Sequence, residues 1–137
     1  MNDPSTVTAG GYRPMPLSHL AIGLRSCANE AARRRMVLEF VEEYRWEPIQ
    51  VRERLLEARP LPCQDSRYDA LLGALGEHLA HHDSLPVPNW TQESDRFLER
   101  WWFPVDLPSV RADAIVHSPA SFRRRGIFIG TGALARA

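Results

Sequence analysis

The stretch Arg33-Arg34-Arg35-Met36-Val37-Leu38-Glu39-Phe40-Val41-Glu42-Glu43-Tyr44 decides the fold class. Met36, Val37, Phe40, Val41 and Tyr44 recur at spacings of three and four, which places them on one side of a 3.6-residue helix. The opposite side carries both signs of charge, with Arg35 four residues before Glu39 and Glu39 four before Glu43. This is an amphipathic helix with a mixed-charge outer face, and the segments around it repeat the pattern.

Upstream, Leu17, Leu20, Ala21, Leu24, Ala28 and Ala31 suit one helical face after Pro16, with Gly23 and the Ser26-Cys27-Ala28-Asn29 step as candidate breaks. Met1 to Met15 holds Pro4, Gly10, Gly11 and Pro14 among small polar residues, and is expected to be a disordered or loosely docked arm. Downstream, Pro48 restarts a short helix to Ala58 with Val51 and Leu55 facing inward. Asp65 or Ser66 can cap a fourth helix reaching His82, with Tyr68, Leu71, Leu72, Leu75 and Leu79 as its stripe.

After the proline-bearing linker at Asp83 to Trp90, side-chain signals predict several shorter helices. One starts at Thr91 or Ser94 and runs through Phe97, Leu98, Trp101 and Trp102. Another opens at Asp106 and Pro108, with Leu107, Val110, Ala114 and Ile115 sharing a side. A third is capped by Ser118 before Pro119 and ends in Arg123, Arg124 and Arg125 followed by Gly126. Ile127 to Ile129 suits a brief extended segment, and the tail from Thr131 a further turn or two. The expectation is an all-α protein. Residues 16–137 would form one compact domain of about four main helices, with an irregular C-terminal subregion from residue 89.

Composition narrows the function classes. A chain of 137 residues buries about 68% of its unfolded surface, so a core needs no staples. Seventeen basic and seventeen acidic residues cancel, so no global field draws the chain to nucleic acid or an anionic membrane. Every basic residue is arginine, whose planar guanidinium stacks on rings and grips carboxylates bidentately. No apolar run approaches membrane-spanning length, and the first residues lack a secretory pattern, so the expected location is the cytoplasm. Cys27 and Cys63 fit neither a disulfide framework nor a metal knuckle; a buried small hydrophobe and a loop thiol are the expectations.

Candidate chemistry is sparse. His78 and His82 share a helical face at metal-ligand spacing, but the run is EHLAHH and not HExxH, and no further ligand is tied to them. They read as solvated histidines at the negative end of a helix dipole. Gly130-Thr131-Gly132 lacks the rest of a phosphate-cradling loop, and no local signature presents a serine or cysteine nucleophile. No catalytic residue, metal or cofactor is assigned, and the expectation is a protein that is not an enzyme.

Trp101-Trp102-Phe103 is the richest remaining feature. Adjacent helical positions point about 100° apart, so both tryptophans cannot be core on a two-sided helix. An exposed tryptophan beside arginines has the composition of an interface hot spot. The candidate partner-binding residues are therefore Trp101, Trp102, Phe103, Arg123, Arg124 and Arg125. The alternative is a small DNA-binding regulator that sets Arg33 to Arg35, or Arg123 to Arg125, on phosphates.

Several segments taken together carry a resemblance. They are Tyr68-Asp69-Ala70-Leu71-Leu72, Glu77-His78-Leu79-Ala80, Pro88-Asn89-Trp90, Arg96-Phe97-Leu98, Trp102-Phe103 and Ser118-Pro119-Ala120-Ser121-Phe122-Arg123-Arg124-Arg125-Gly126-Ile127-Phe128-Ile129. Over residues 36–136 the chain resembles small actinobacterial antitoxin-type proteins encoded beside nucleotidyltransferase-like toxins, the last block being the most specific part. The resemblance implies a protein partner, a toxin enzyme, neutralised by direct contact. Longer members carry a helix-turn-helix domain ahead of this region, for which the residues before Leu17 leave no room, so direct protein binding is the expected mechanism. The resemblance brings no binding residues with it.

Overall fold

Helix α4, Ser66–His82, begins where Asp65 accepts a hydrogen bond from the Arg67 amide, as a capping carboxylate does. Its predicted stripe of Tyr68, Leu71, Leu72, Leu75 and Leu79 is buried. So is the other side, where Ala70, Gly73, Ala74, Gly76, Glu77 and Ala80 lie. A helix lined with small residues lets neighbours approach its backbone from both sides, and α4 has become the central wall of the molecule.

The computed structural model describes residues 13–105 and 108–130. On one side of α4 pack α1 (Leu17–Ser26) and α3 (Ile49–Glu57), with α2 (Glu30–Arg45) resting on both. On the other side lie two 3-10 turns, Asn89–Gln92 and Ser94–Arg96, and the single turn of α6 (Ala120–Arg123). Helix α5, Pro108–His117, buries only Ala114 among its described side chains. No β-strand occurs among the described residues; an isolated parallel bridge joins Trp102 to Ile127. The fold is all-α.

The four main helices follow their periodicity closely. Leu17, Leu20, Ala21 and Leu24 of α1, Val37, Phe40, Val41 and Tyr44 of α2, and Val51, Leu55 and Leu56 of α3 are all buried. Helix α1 stops at Ser26, leaving Ala28 and Ala31 exposed, and Asn29 caps α2 through its bond from the Ala32 amide. Of the expected N-terminal arm, residues 1–12 lie outside the described residues, whereas Pro14 is buried and Met15 packs against the core.

The C-terminal subregion departs from expectation in three places. The helix predicted from Thr91 or Ser94 through Trp102 does not form. Trp90, Thr91 and Arg96 turn inward at a spacing no helix offers, and Leu98 and Trp102 donate their amides to Arg125 O at 3.0 Å and Gly126 O at 2.8 Å. Consecutive aromatics are poor helix formers, and these tertiary hydrogen bonds satisfy the backbone instead. Ser118 does not cap α6, whose N-cap is Pro119. Its hydroxyl lies 2.6 Å from Ala114 O and accepts the Ile129 amide at 2.8 Å, so it staples α5 to the extended segment. The cysteines exchange roles: Cys63 is buried and Cys27 half-buried. The predicted helix start at Asp106 and Leu107, and the final turns from Thr131, lie outside the described residues.

The end of α6 is as the residues dictate. Gly126 takes φ +82°, and the Ile127 amide reaches back to Phe122 O at 3.0 Å, closing a left-handed cap. Gly73 matters for space: a Cβ there would stand 2.8 Å from Arg96 Cβ and 3.3 Å from Arg125 Nε. Alanine would gain about 1 kcal/mol from helix propensity. Overpacking of about 1–3 kcal/mol outweighs that gain. Gly73→Ala is expected to lower the urea midpoint; an unchanged or raised midpoint would show that the turns can yield.

Candidate interaction surface

Two arginines sit inside the protein. Arg96 is 1% exposed and Arg125 0%. Arg125 donates to Glu77 of α4, to Ser121 O at 2.8 Å and to Thr91 O at 2.6 Å. Arg96 donates to Pro60 O at 2.8 Å and Asp69 O at 3.2 Å, and lies over the Trp90 ring. Together they tie the irregular C-terminal segment to the central helix. This corrects the assignment of Arg125 to a partner surface: its guanidinium is enclosed and spent on internal acceptors.

The other two members of the triple arginine are solvent-accessible but engaged. Arg124 grips both Glu77 oxygens at 2.8 Å and Gln92 at 3.2 Å, lying over Phe97. Arg123 donates to Val116 O at 3.0 Å and Ser118 O at 3.1 Å, closing the C-terminal carbonyls of α5. Their arrangement is that of clamps, with Arg124 able to present its outer edge.

Burial alone would raise the Glu77 carboxyl, but hydrogen bonds and charge from Arg125, with Gln92 and Arg124, hold it below its usual range. Asp83 is lowered in the same way, its burial outweighed by bonds from the Tyr44 hydroxyl at 2.6 Å and from His82, with Arg52 alongside. Burial, then His82, pushes His78 down. In each case the folded pKa lies below the unfolded one, so the stabilisation is complete above the unfolded value and is lost as pH falls. Thermal stability should therefore begin to fall below about pH 6.5 through His78, and steeply below about pH 4.5 through the carboxylates. Glu77→Gln should flatten the acid limb in a melting series from pH 7 to 3; an identical limb would show that Glu77 is not responsible.

The aromatic run is not helical, and Trp102 is tied to Ile127 by the isolated bridge. Trp101 is 68% exposed, yet its ring packs on Phe128 at 4.8 Å between centroids. Trp102 turns the other way, edge-on to Tyr68 at 5.2 Å and beneath Arg67 at 5.1 Å. Phe103 stacks on Phe128 at 5.3 Å and carries Arg111 at 4.4 Å. One tryptophan is outside and one half-buried, as expected, although no helix separates them. Phe128 is the shared support, 5% exposed. The hydrophobic run Ile127 to Ile129, directly after a helix stop, was the sequence signal for it.

Beside this run a cleft opens, walled by Val37 and Leu38 of α2, Leu71 of α4, and Val105, Phe128 and Ile129. Arg34 lies at its edge and is the one charged residue among the described lining residues. No sequence pattern announced this cleft, because its named walls lie up to 92 residues apart in the chain, from Val37 to Ile129.

The remaining candidates do not assemble into chemistry. His78 and His82 have ring centroids 6.4 Å apart, and His78 packs edge-on to Phe122. No group of three or more His, Cys, Asp or Glu side chains is placed to hold a metal among the described residues. Burial and the Asp69 carboxylate push the Cys63 thiol up to about 12, far from thiolate. Arg33 of the basic triplet turns inward to Glu30 at 2.9 Å and Cys27 O at 3.2 Å, so Arg33 to Arg35 do not form one phosphate-facing row. No helix among the described residues is long and apolar enough to cross a membrane. Comparison with protein-family models, curated proteins and solved structures finds no match.

Proposed function

We propose that this chain is a non-catalytic cytoplasmic binding protein of antitoxin type, which neutralises a nucleotidyltransferase-like toxin by direct contact. The observation that carries the binding role is Trp101. Its indole is 68% exposed while Phe128 beneath it is anchored in the fold. A large ring held in one orientation loses little conformational entropy on binding and offers a large desolvation gain, the anatomy of an interface anchor. Trp102, Phe103, Arg67 and Arg111 surround it with stacked and cationic groups suited to a rim. The antitoxin role rests on the sequence resemblance over residues 36–136.

Co-expression with the product of the adjacent gene tests the reading. The neighbour alone should arrest growth, this chain should restore it, and the two should co-purify at fixed stoichiometry. A harmless neighbour that does not co-purify would overturn it.

A further inference from the structure

The cleft beside the aromatic run is apolar on its walls and cationic at one edge. Val37, Leu38, Leu71, Val105, Phe128 and Ile129 bring no side-chain donor or acceptor, and the hydroxyl of Tyr68, which also lines the cleft, is bonded to Glu30 at 3.2 Å, so Arg34 is the one charged group among the described lining residues. Leu38 at 39% and Val105 at 44% leave the mouth open to solvent. Arg34 is half-buried, and no hydrogen bond or ion pair engages it among the described residues. Its neighbours behave differently: Arg33 bonds Glu30 and Asp65, and Arg67 bonds Asp65. A guanidinium with no acid paired to it among the described residues, beside an apolar wall, is electrostatically complementary to a carboxylate arriving with an apolar side chain.

The cleft is also continuous with the face already described. Phe128 is at once a wall of the cleft and the support of Trp101 and Phe103. A single partner segment lying over Trp101 would therefore reach the cleft mouth.

From this, resting on the binding role argued above, we propose that the cleft receives a bulky apolar side chain of the protein partner while Arg34 pairs with an Asp or Glu next to it. The partner's contact segment is thus of mixed acidic and apolar character. Arg34 selects it by charge, and the cleft selects it by size. Guanidinium and carboxylate meet bidentately at the edge, where water is partly excluded and the pair discriminates strongly against a basic segment.

The test is selection of random linear peptides displayed on phage against the purified full chain, followed by affinity measurement with one enriched synthetic peptide. Enriched sequences should pair a bulky apolar residue with Asp or Glu. Arg34→Glu and Val105→Glu should each weaken binding of that peptide by about tenfold or more. A peptide whose acid is changed to Lys should bind Arg34→Glu better than it binds the parent chain. Val105 is exposed and Arg34 half-buried with no hydrogen bond or ion pair among the described residues, and circular dichroism melts of the two variants should stay close to the parent.

Selection that yields no peptide, peptides without an acid, or peptides indifferent to both variants would overturn the proposal. So would a dimer of this chain that Val105→Glu disperses, because a second copy would then fill the cleft. The two readings fail separately. A co-purifying neighbour lost on Trp101→Ala but retained on Arg34→Glu and Val105→Glu sinks the cleft and leaves the binding role standing.

Discussion

Replacing Arg125 with alanine is expected to cost about 3–5 kcal/mol of folding stability, the range for removing one partner of a buried ion pair. At about 3 °C per kcal/mol for a chain of this size, melting should fall by roughly 10–15 °C. The cause is what the side chain leaves behind. Glu77 is 6% exposed and would keep a carboxylate facing only Arg124, His81 and Gln92. Ser121 O and Thr91 O would lose their donors, and the Phe97 ring would lose the cation 4.5 Å from its centre. Arg124 can relieve part of the uncompensated charge, because it already reaches both Glu77 oxygens. That places the effect towards the lower end.

The pair itself is not the source of net stability, since dehydrating two charges offsets most of their attraction. Arg125 also keeps one nitrogen, Nε, without a partner among the described groups. The double variant Glu77→Leu with Arg125→Met should therefore recover most of the loss. Urea titration of Glu77→Leu, Arg125→Met and the double variant against the parent separates these contributions as a double-mutant cycle. A shift below about 1 kcal/mol for Arg125→Ala would show that the clamp contributes little to folding.

Trp101→Ala is expected to weaken partner binding by about 2 kcal/mol or more, roughly thirtyfold in Kd, at nearly unchanged stability. Most of the indole already faces water, so its removal exposes little beyond the edge of Phe128. Trp102→Ala should show the reverse weighting. That ring packs between Tyr68 and Arg67, and its loss should lower the melting temperature before it touches affinity. Calorimetric titration of the partner into both variants, with melting curves alongside, distinguishes them. Equal affinity for the parent and Trp101→Ala would remove the tryptophan from the interface.

Periodicity made the first four helices legible because α1, α2 and α3 each bury one face and wet the other, and that asymmetry is written at three- and four-residue spacing. The α4 stripe was visible in Tyr68, Leu71, Leu72, Leu75 and Leu79. Its second buried face was written more faintly, in Ala70, Gly73, Ala74 and Ala80, since small residues also suit solvent. The candidate surface was half legible. Adjacency implied that one of Trp101 and Trp102 lies outside without saying which, and the helix invoked to separate them does not form.

By itself the sequence determined that the protein is helical, which residues form the buried stripes of its four main helices, and that Gly126 closes the last one. It also carried the charge balance and the absence of a local catalytic signature. Only the tertiary structure decided which of three consecutive arginines is interior. Arg123 closes α5, Arg124 reaches Glu77 from outside and Arg125 reaches it from within. A local pattern cannot distinguish them, because the acceptors that claim each guanidinium lie elsewhere in the chain, up to 48 residues away. Burying a charge depends on partners that only folding brings together. The same holds for the cleft at Arg34, whose walls meet only when α2, α4 and the extended segment close around it.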